Sequence, residues 1–129
     1  MARLILDGGA VFALAANEPR ARQVVERALR QHTLVVVPAV VIAETTRGGA
    51  RDARANRVLN AVNEVAPATE AVAREAGRLL AAAGIPDATI DALIVAEAIL
   101  HGASLILTGD PDDISALAAN HPHVQVASL

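Results

Sequence analysis

The sequence of 129 residues predicts one α/β domain spanning residues 1–129: a three-layer sandwich with a central, mostly parallel sheet of four to five strands flanked by helices. Two observations carry this expectation. The strand-like runs are short and apolar on both faces, as strands covered by helices on either side must be. Helical stretches separate these runs, and parallel strands require such crossovers.

Taken in order, residues 3–7 (RLILD) form a first strand stopped by Gly8 and Gly9, followed by helices over 10–16 and 19–31. A β-branched run at 33–37 (TLVVV) is stopped by Pro38, which cannot donate to a ladder. Helices over 39–47 and 50–62 are separated by Gly48 and Gly49, and Glu64–Ala66 offers a further short strand. A helix over 69–83 ends at Gly84, and another over 87–101 opens on Asp87 as N-cap and ends at Gly102. The run at 104–108 (SLILT) stops at Gly109; a helix over 112–120 and a weak strand over 124–127 complete the chain.

Missing residue types exclude much chemistry. Without cysteine there is no thiol catalysis, iron–sulfur cluster or thiolate zinc site, and the expected compartment is the reducing cytoplasm. All 11 basic residues are Arg, which removes the Walker-loop lysine and Schiff-base chemistry. With Phe12 as the only aromatic residue, a row of base-stacking platforms is also absent. The longest apolar run, residues 34–43, contains Pro38 and is far too short to span a bilayer, and no secretory signal is read at the start.

Carboxylates remain in quantity, and their placement carries the functional reading. Asp7 ends the first strand and Asp110 follows the 104–108 strand, so both are expected at carboxyl ends of parallel strands, where open α/β sheets bind ligands. Glu44 and Asp91 interrupt otherwise apolar helical stretches, where a carboxylate is costly unless paired or bound to metal. Each acid also has a plain structural reading. Asp7 and Asp110 suit turns, while Asp112 and Asp113 open a helix whose dipole favours negative charge.

The runs Leu4-Ile5-Leu6-Asp7, Val37-Pro38 through Glu44, Asp91-Ala92-Leu93-Ile94-Val95-Ala96 and Thr108-Gly109-Asp110 together resemble, in that order, the four motifs of PIN-domain nucleases. The compact spacing is most similar to the VapC-type toxins of bacterial and archaeal toxin–antitoxin pairs. The resemblance implies a ribonuclease in which Asp7, Glu44, Asp91 and Asp110, with Asp113 as a further candidate, gather around one or two Mg2+ or Mn2+ ions. Hard divalent cations prefer such oxygen donors, and they activate water for attack on a phosphodiester. It also implies an RNA substrate, a cognate VapB-like antitoxin, a homodimer and no membrane. Thr108 resembles the hydroxyl residue that the family places two positions before its last acid.

Two departures stand out. Gly9 occupies the position where the family usually has Ser or Thr, leaving the backbone N–H groups of Gly8 and Gly9 to face a phosphate. Asp87 and Asp91 lie four apart, and only Asp91 is followed by the apolar pattern of the family's third motif. Crowding of the acids implies that Asp7→Asn or Asp91→Asn holds or raises stability in metal-free buffer.

The basic residues are uneven: residues 1–57 hold nine Arg against five acids, and residues 58–129 two against nine. Arg47, Arg51, Arg54 and Arg57, spaced four, three and three apart, are expected to line one helix face, either as a solvated surface or as a contact for RNA or an acidic partner. The histidines carry no assigned role. Two rival readings are a PIN-like module that binds a partner without cleaving, suggested by Gly9, and a Mg2+-dependent phosphoryl-transfer or receiver-like domain, disfavoured by the lack of lysine and by Glu44.

Overall fold

The computed structural model describes residues 2–102 and 104–129. Five strands form one sheet: β1 (Arg3–Leu6), β2 (Leu34–Pro38), β3 (Glu64–Ala66), β4 (Ser104–Thr108) and β5 (Val124–Ser128). Their order is β3-β2-β1-β4-β5 and every pairing is parallel, so the sheet is wholly rather than mostly parallel. Pro38 closes β2 as its last residue, at the end of the ladder where a missing N–H does least harm.

Among the described residues seven α-helices cover this sheet: α1 (Gly8–Ala15), α2 (Pro19–Arg30), α3 (Ala39–Thr45), α4 (Ala53–Ala61), α5 (Glu70–Ala83), α6 (Thr89–Leu100) and α7 (Pro111–Leu117). Helices α1, α2 and α4 pack as one group and α5, α6 and α7 as another, while α3 touches both α1 and α6. The central strand shows the consequence: Leu4, Ile5 and Leu6 are consecutive and all fully buried, because both faces of β1 are covered. Helix α5 is bounded as its residues dictate, with Thr69 Oγ1 accepting from Val72 N and Gly84 closing it in the left-handed region at φ 69°.

Three local expectations are corrected. Asp87 does not cap a helix: α6 begins at Thr89 after Ala88, no side chain caps it, and Asp87 is exposed in the preceding loop. The helix expected over 50–62 starts as a 3-10 turn, Ala50–Asp52, and becomes α-helical only at Ala53. For that reason Arg47, Arg51, Arg54 and Arg57 do not share one helix face. Arg47 lies before the turn, with its guanidinium folded back on Ala43 O (2.9 Å) and Thr46 O (2.7 Å) at the end of α3; Arg51 sits in the turn, and only Arg54 and Arg57 are on α4.

The physical reason for the break is Asp52. Its buried carboxylate accepts from Arg47 N at 2.9 Å and Gly48 N at 2.7 Å, folding the chain back where a continuous helix would have run on. A second buried acid, Glu97 on α6, meets Arg3 on β1 with Nη2 to Oε1 at 2.9 Å, and both side chains are nearly inaccessible. His101 Nδ1 lies 3.0 Å from the same carboxylate oxygen. This pair fixes the sheet against the helix that carries Asp91.

Candidate metal centre

The connection from β1 leads to β2 on one side and that from β4 leads to β5 on the other, so the sheet order reverses between β1 and β4, and the carboxyl edge there is where open sheets form a crevice. Asp7 ends β1 and caps α1. Its Oδ1 accepts from Ala10 N at 2.8 Å, and its Oδ2 accepts from Thr108 Oγ1 at 2.5 Å and from Gly109 N at 3.1 Å. Three of the four or so acceptor positions of a carboxylate are thus in use, which leaves about one for a ligand.

Thr108, fully buried at the end of β4, donates its hydroxyl proton to Asp7 and accepts from Asp110 N at 2.8 Å. One hydroxyl therefore ties the first acid to the backbone of the last. Thr108, which matches the family's hydroxyl position in sequence, is both the last residue of β4 and a partner of the Asp7 carboxylate.

Across from this link, one carboxylate oxygen each of Asp91, Asp110 and Asp113 lie within 4.8 Å of one another. Asp91 comes from the first turn of α6, Asp110 from the β4–α7 loop and Asp113 from the first turn of α7. Burial pushes the Asp91 carboxyl up to about 7, helped by the charge of Asp110 and a hydrogen bond to it, and then by the charges of Asp7 and Asp113. The charge of Asp110, above all, raises Asp113 as well. Glu44, exposed for much of its length, turns its carboxylate over Gly8, where Oε1 lies 3.1 Å from the position a Cβ on that glycine would take. Burial and then the Asp7 charge raise its pKa.

The expected residues Asp7, Glu44, Asp91 and Asp110 are thus neighbours along one edge of the sheet, and Asp113 stands closer to Asp91 and Asp110 than its helix-opening position alone suggested. Asp112, beside it in sequence, stays exposed and outside the cluster. Among the described residues no Arg lies within 4.0 Å of any of the five carboxylates; the ion pairs involve Glu26, Glu64, Glu70, Glu75 and Glu97 instead. An all-oxygen set with mutual repulsion and no protein cation fits a hard divalent metal ion.

Gly9 now has a reason. A Cβ there would stand 3.1 Å from Gly109 Cα and 3.2 Å from Gly109 N, so a Ser or Thr at this position requires the β4–α7 loop to shift by a few tenths of an ångström. Backbone cannot give way as a flexible side chain can. Gly9→Ser is therefore expected to lower stability by about 1–3 kcal/mol, the usual cost of overpacking, in urea unfolding. An unchanged midpoint would show that the loop moves freely.

A model of the PIN domain matches residues 4–120 of this chain. Among solved structures, VapBC2 from Rickettsia felis bound to a DNA fragment from the promoter is similar with a TM-score of 0.74 at 14% identity, covering 100% of this chain and 99% of that one. DNA-bound VapBC from Salmonella typhimurium gives 0.71 at 16% identity, covering 99% and 98%, and FitAcB from Neisseria gonorrhoeae gives 0.66 at 19%, covering 95% of each chain. At such identities the likeness is one of fold. No curated protein matches the sequence at a significant level.

Proposed function

Since the chain belongs to the PIN-domain family, we propose that it is a metal-dependent endoribonuclease and the toxin of a VapBC-type toxin–antitoxin pair. One observation carries the reading: five carboxylates from four separate segments converge at the carboxyl edge of the sheet, with no arginine among the described residues within 4.0 Å of them. Asp91, Asp110 and Asp113 would hold one or two Mg2+ or Mn2+ ions, with Glu44 and the remaining acceptor position of Asp7 completing the set. When bound, the ion supplies an activated water and offsets charge on the phosphoryl oxygens.

The chain's own groups do the positioning. Thr108 holds the Asp7 carboxylate and the Asp110 backbone in register, and Gly109 N adds a third contact. Gly8 and Gly9 open α1 at the same edge, where the positive end of the helix favours an anionic phosphate. The fold neighbours from Rickettsia felis and Salmonella typhimurium are VapBC proteins bound to DNA, and a toxin–antitoxin complex from Klebsiella pneumoniae is similar with a TM-score of 0.68, which supports a VapB-like antitoxin as partner. Self-association as a homodimer belongs to the same reading.

The test is cleavage of end-labelled single-stranded RNA by the purified protein, with Mg2+ or Mn2+ added or chelated. Cleavage that requires the ion, together with calorimetric binding of Mg2+ or Mn2+ to wild type and its loss in Asp110→Asn, is expected. A protein that binds neither ion and cuts no RNA is a partner-binding module instead. No helix among the described residues is long and apolar enough to cross a membrane.

A further inference from the structure

Part of the basic half of the sequence lines a groove along α2. A groove of about 480 Å3 runs between α2 and the β4–β5 side of the sheet, and its polar lining includes Arg20, Arg27, Gln31, Ser104, His123 and Gln125. On α2 the lining positions are 20, 24, 27, 28 and 31, one face of a helix, with Val24 and Ala28 forming an apolar floor between the two guanidinium groups. No Asp or Glu lines the groove among the described residues, and neither Arg20 nor Arg27 has a carboxylate within 4.0 Å. The one helix-internal pair on α2, Arg22 with Glu26 at 3.8 Å, involves residues outside the lining.

One end of the groove approaches the acid cluster, while the other, lined by Ala2, Thr33, Ser104 and His123, lies at the amino edge of the sheet. Along β5 the lining includes Gln125 and Ala127, and the next residue, Ser128, pairs with Thr108, whose hydroxyl holds Asp7. Arg20 Nε donates to Ser128 O at 3.2 Å, anchoring one guanidinium near that end. Leu129 then donates its N–H to Thr108 O, and its Cδ1 lies 3.5 Å from where a Cβ on Gly109 would be, beside Asp110.

We propose that the α2–β5 groove is a second binding site for the RNA substrate, where Arg20 and Arg27 hold backbone phosphates of the strand whose scissile bond lies at the acid cluster. This rests on the ribonuclease reading above. A site of five carboxylates repels a phosphodiester, so affinity must come from cationic contacts displaced from it, and a continuous groove free of acids supplies them. The lining has amides, hydroxyls and an imidazole but no Phe, Tyr or Trp, which suits phosphate and sugar contacts without base stacking.

The test is fluorescence anisotropy of a labelled single-stranded RNA with the Asp91→Asn protein in Mg2+, where cleavage is blocked, comparing Arg20→Ala/Arg27→Ala with Arg74→Ala/Arg78→Ala. The second pair removes the same charge from α5, far along the chain and already paired with Glu70 and Glu75. The groove pair is expected to weaken binding about tenfold and to reduce the slope of log K against log salt by about 1.4, two contacts on a single strand. If loss of the Ser128 contact destabilises the fold, Arg27→Ala alone is expected to give about half that slope change, about 0.7.

Equal weakening by both pairs would mean only the overall field matters and overturns the proposal. So would unchanged RNA binding accompanied by lost binding of an acidic peptide, which would make the groove a protein-docking surface. Wild-type protein that cuts RNA with KM and salt slope untouched by Arg27→Ala loses the groove alone; wild-type protein that neither binds nor cuts RNA loses both this site and the nuclease reading.

Discussion

Asp91→Asn is expected to abolish RNA cleavage while making the metal-free protein more stable. The activity loss should be about a thousandfold, the scale seen when a group that organises transition-state charge is removed. The stability gain follows from the raised pKa. Asp91 is pushed from 3.8 to about 7 by burial first and by Asp110, Asp7 and Asp113 after it. Below the unfolded pKa both states hold the proton and there is no penalty. As pH rises from there toward 7 the unfolded chain releases its proton more readily than the native protein does, so stability falls, and above 7 the full penalty is present.

Asp91 is only half-buried, and solvent screening reduces this penalty to about 1–2 kcal/mol. Metal-free wild type should therefore lose melting temperature as pH rises from about 4 to about 7, and Asp91→Asn should lose less. The residual slope belongs to Glu44 and Asp113, whose pKa values are raised in the same direction. Added Mg2+ should restore wild-type stability and leave the variant nearly unchanged. A flat wild-type profile in chelator would show that the acids do not repel one another and would remove the physical case for a metal there.

The placement of Asp7 and Asp110 after strands and of Asp91 on a helix is legible in the sequence because two rules of the backbone expose it: a carboxylate after an apolar strand marks its end, and one inside an apolar helix has no cheap burial. The second rule applied equally to Glu97, six residues beyond Asp91, whose partner was hidden because Arg3 begins a strand and gives no sign of which helix it faces. Asp52 was invisible for another reason. Its contacts are to two backbone N–H groups four and five residues earlier, so nothing in the pattern distinguished it from a surface acid. The arginine spacing misled because periodicity assumes a continuous helix, and the Gly48-Gly49 break and the turn at Ala50–Asp52 interrupt it. Gly9 showed as a departure from a family pattern, while the close approach of Gly109 that explains it depends on two segments a hundred residues apart.

Asp7→Asn is expected to destabilise the metal-free protein, opposite in sign to Asp91→Asn, although crowding alone predicted the same outcome for both. Asp7 is held by three donors, Ala10 N, Thr108 Oγ1 and Gly109 N, whereas Asp91 faces acids. An amide has one oxygen. If it keeps the Ala10 N cap, its NH2 group faces the Gly109 N–H, and one donor is left unpaired at a cost of about 1–3 kcal/mol. Turned the other way, the cap is lost instead. Thr108→Val should cost a similar amount, since it removes from a fully buried position the hydroxyl that donates to Asp7, and with it the acceptor of the Asp110 N–H. Urea unfolding in chelator at pH 7 measures each variant and the double mutant. Because the two side chains share one hydrogen bond, the double mutant should lose less than the sum of the singles, and strict additivity would mean that Thr108 does not hold Asp7 in solution.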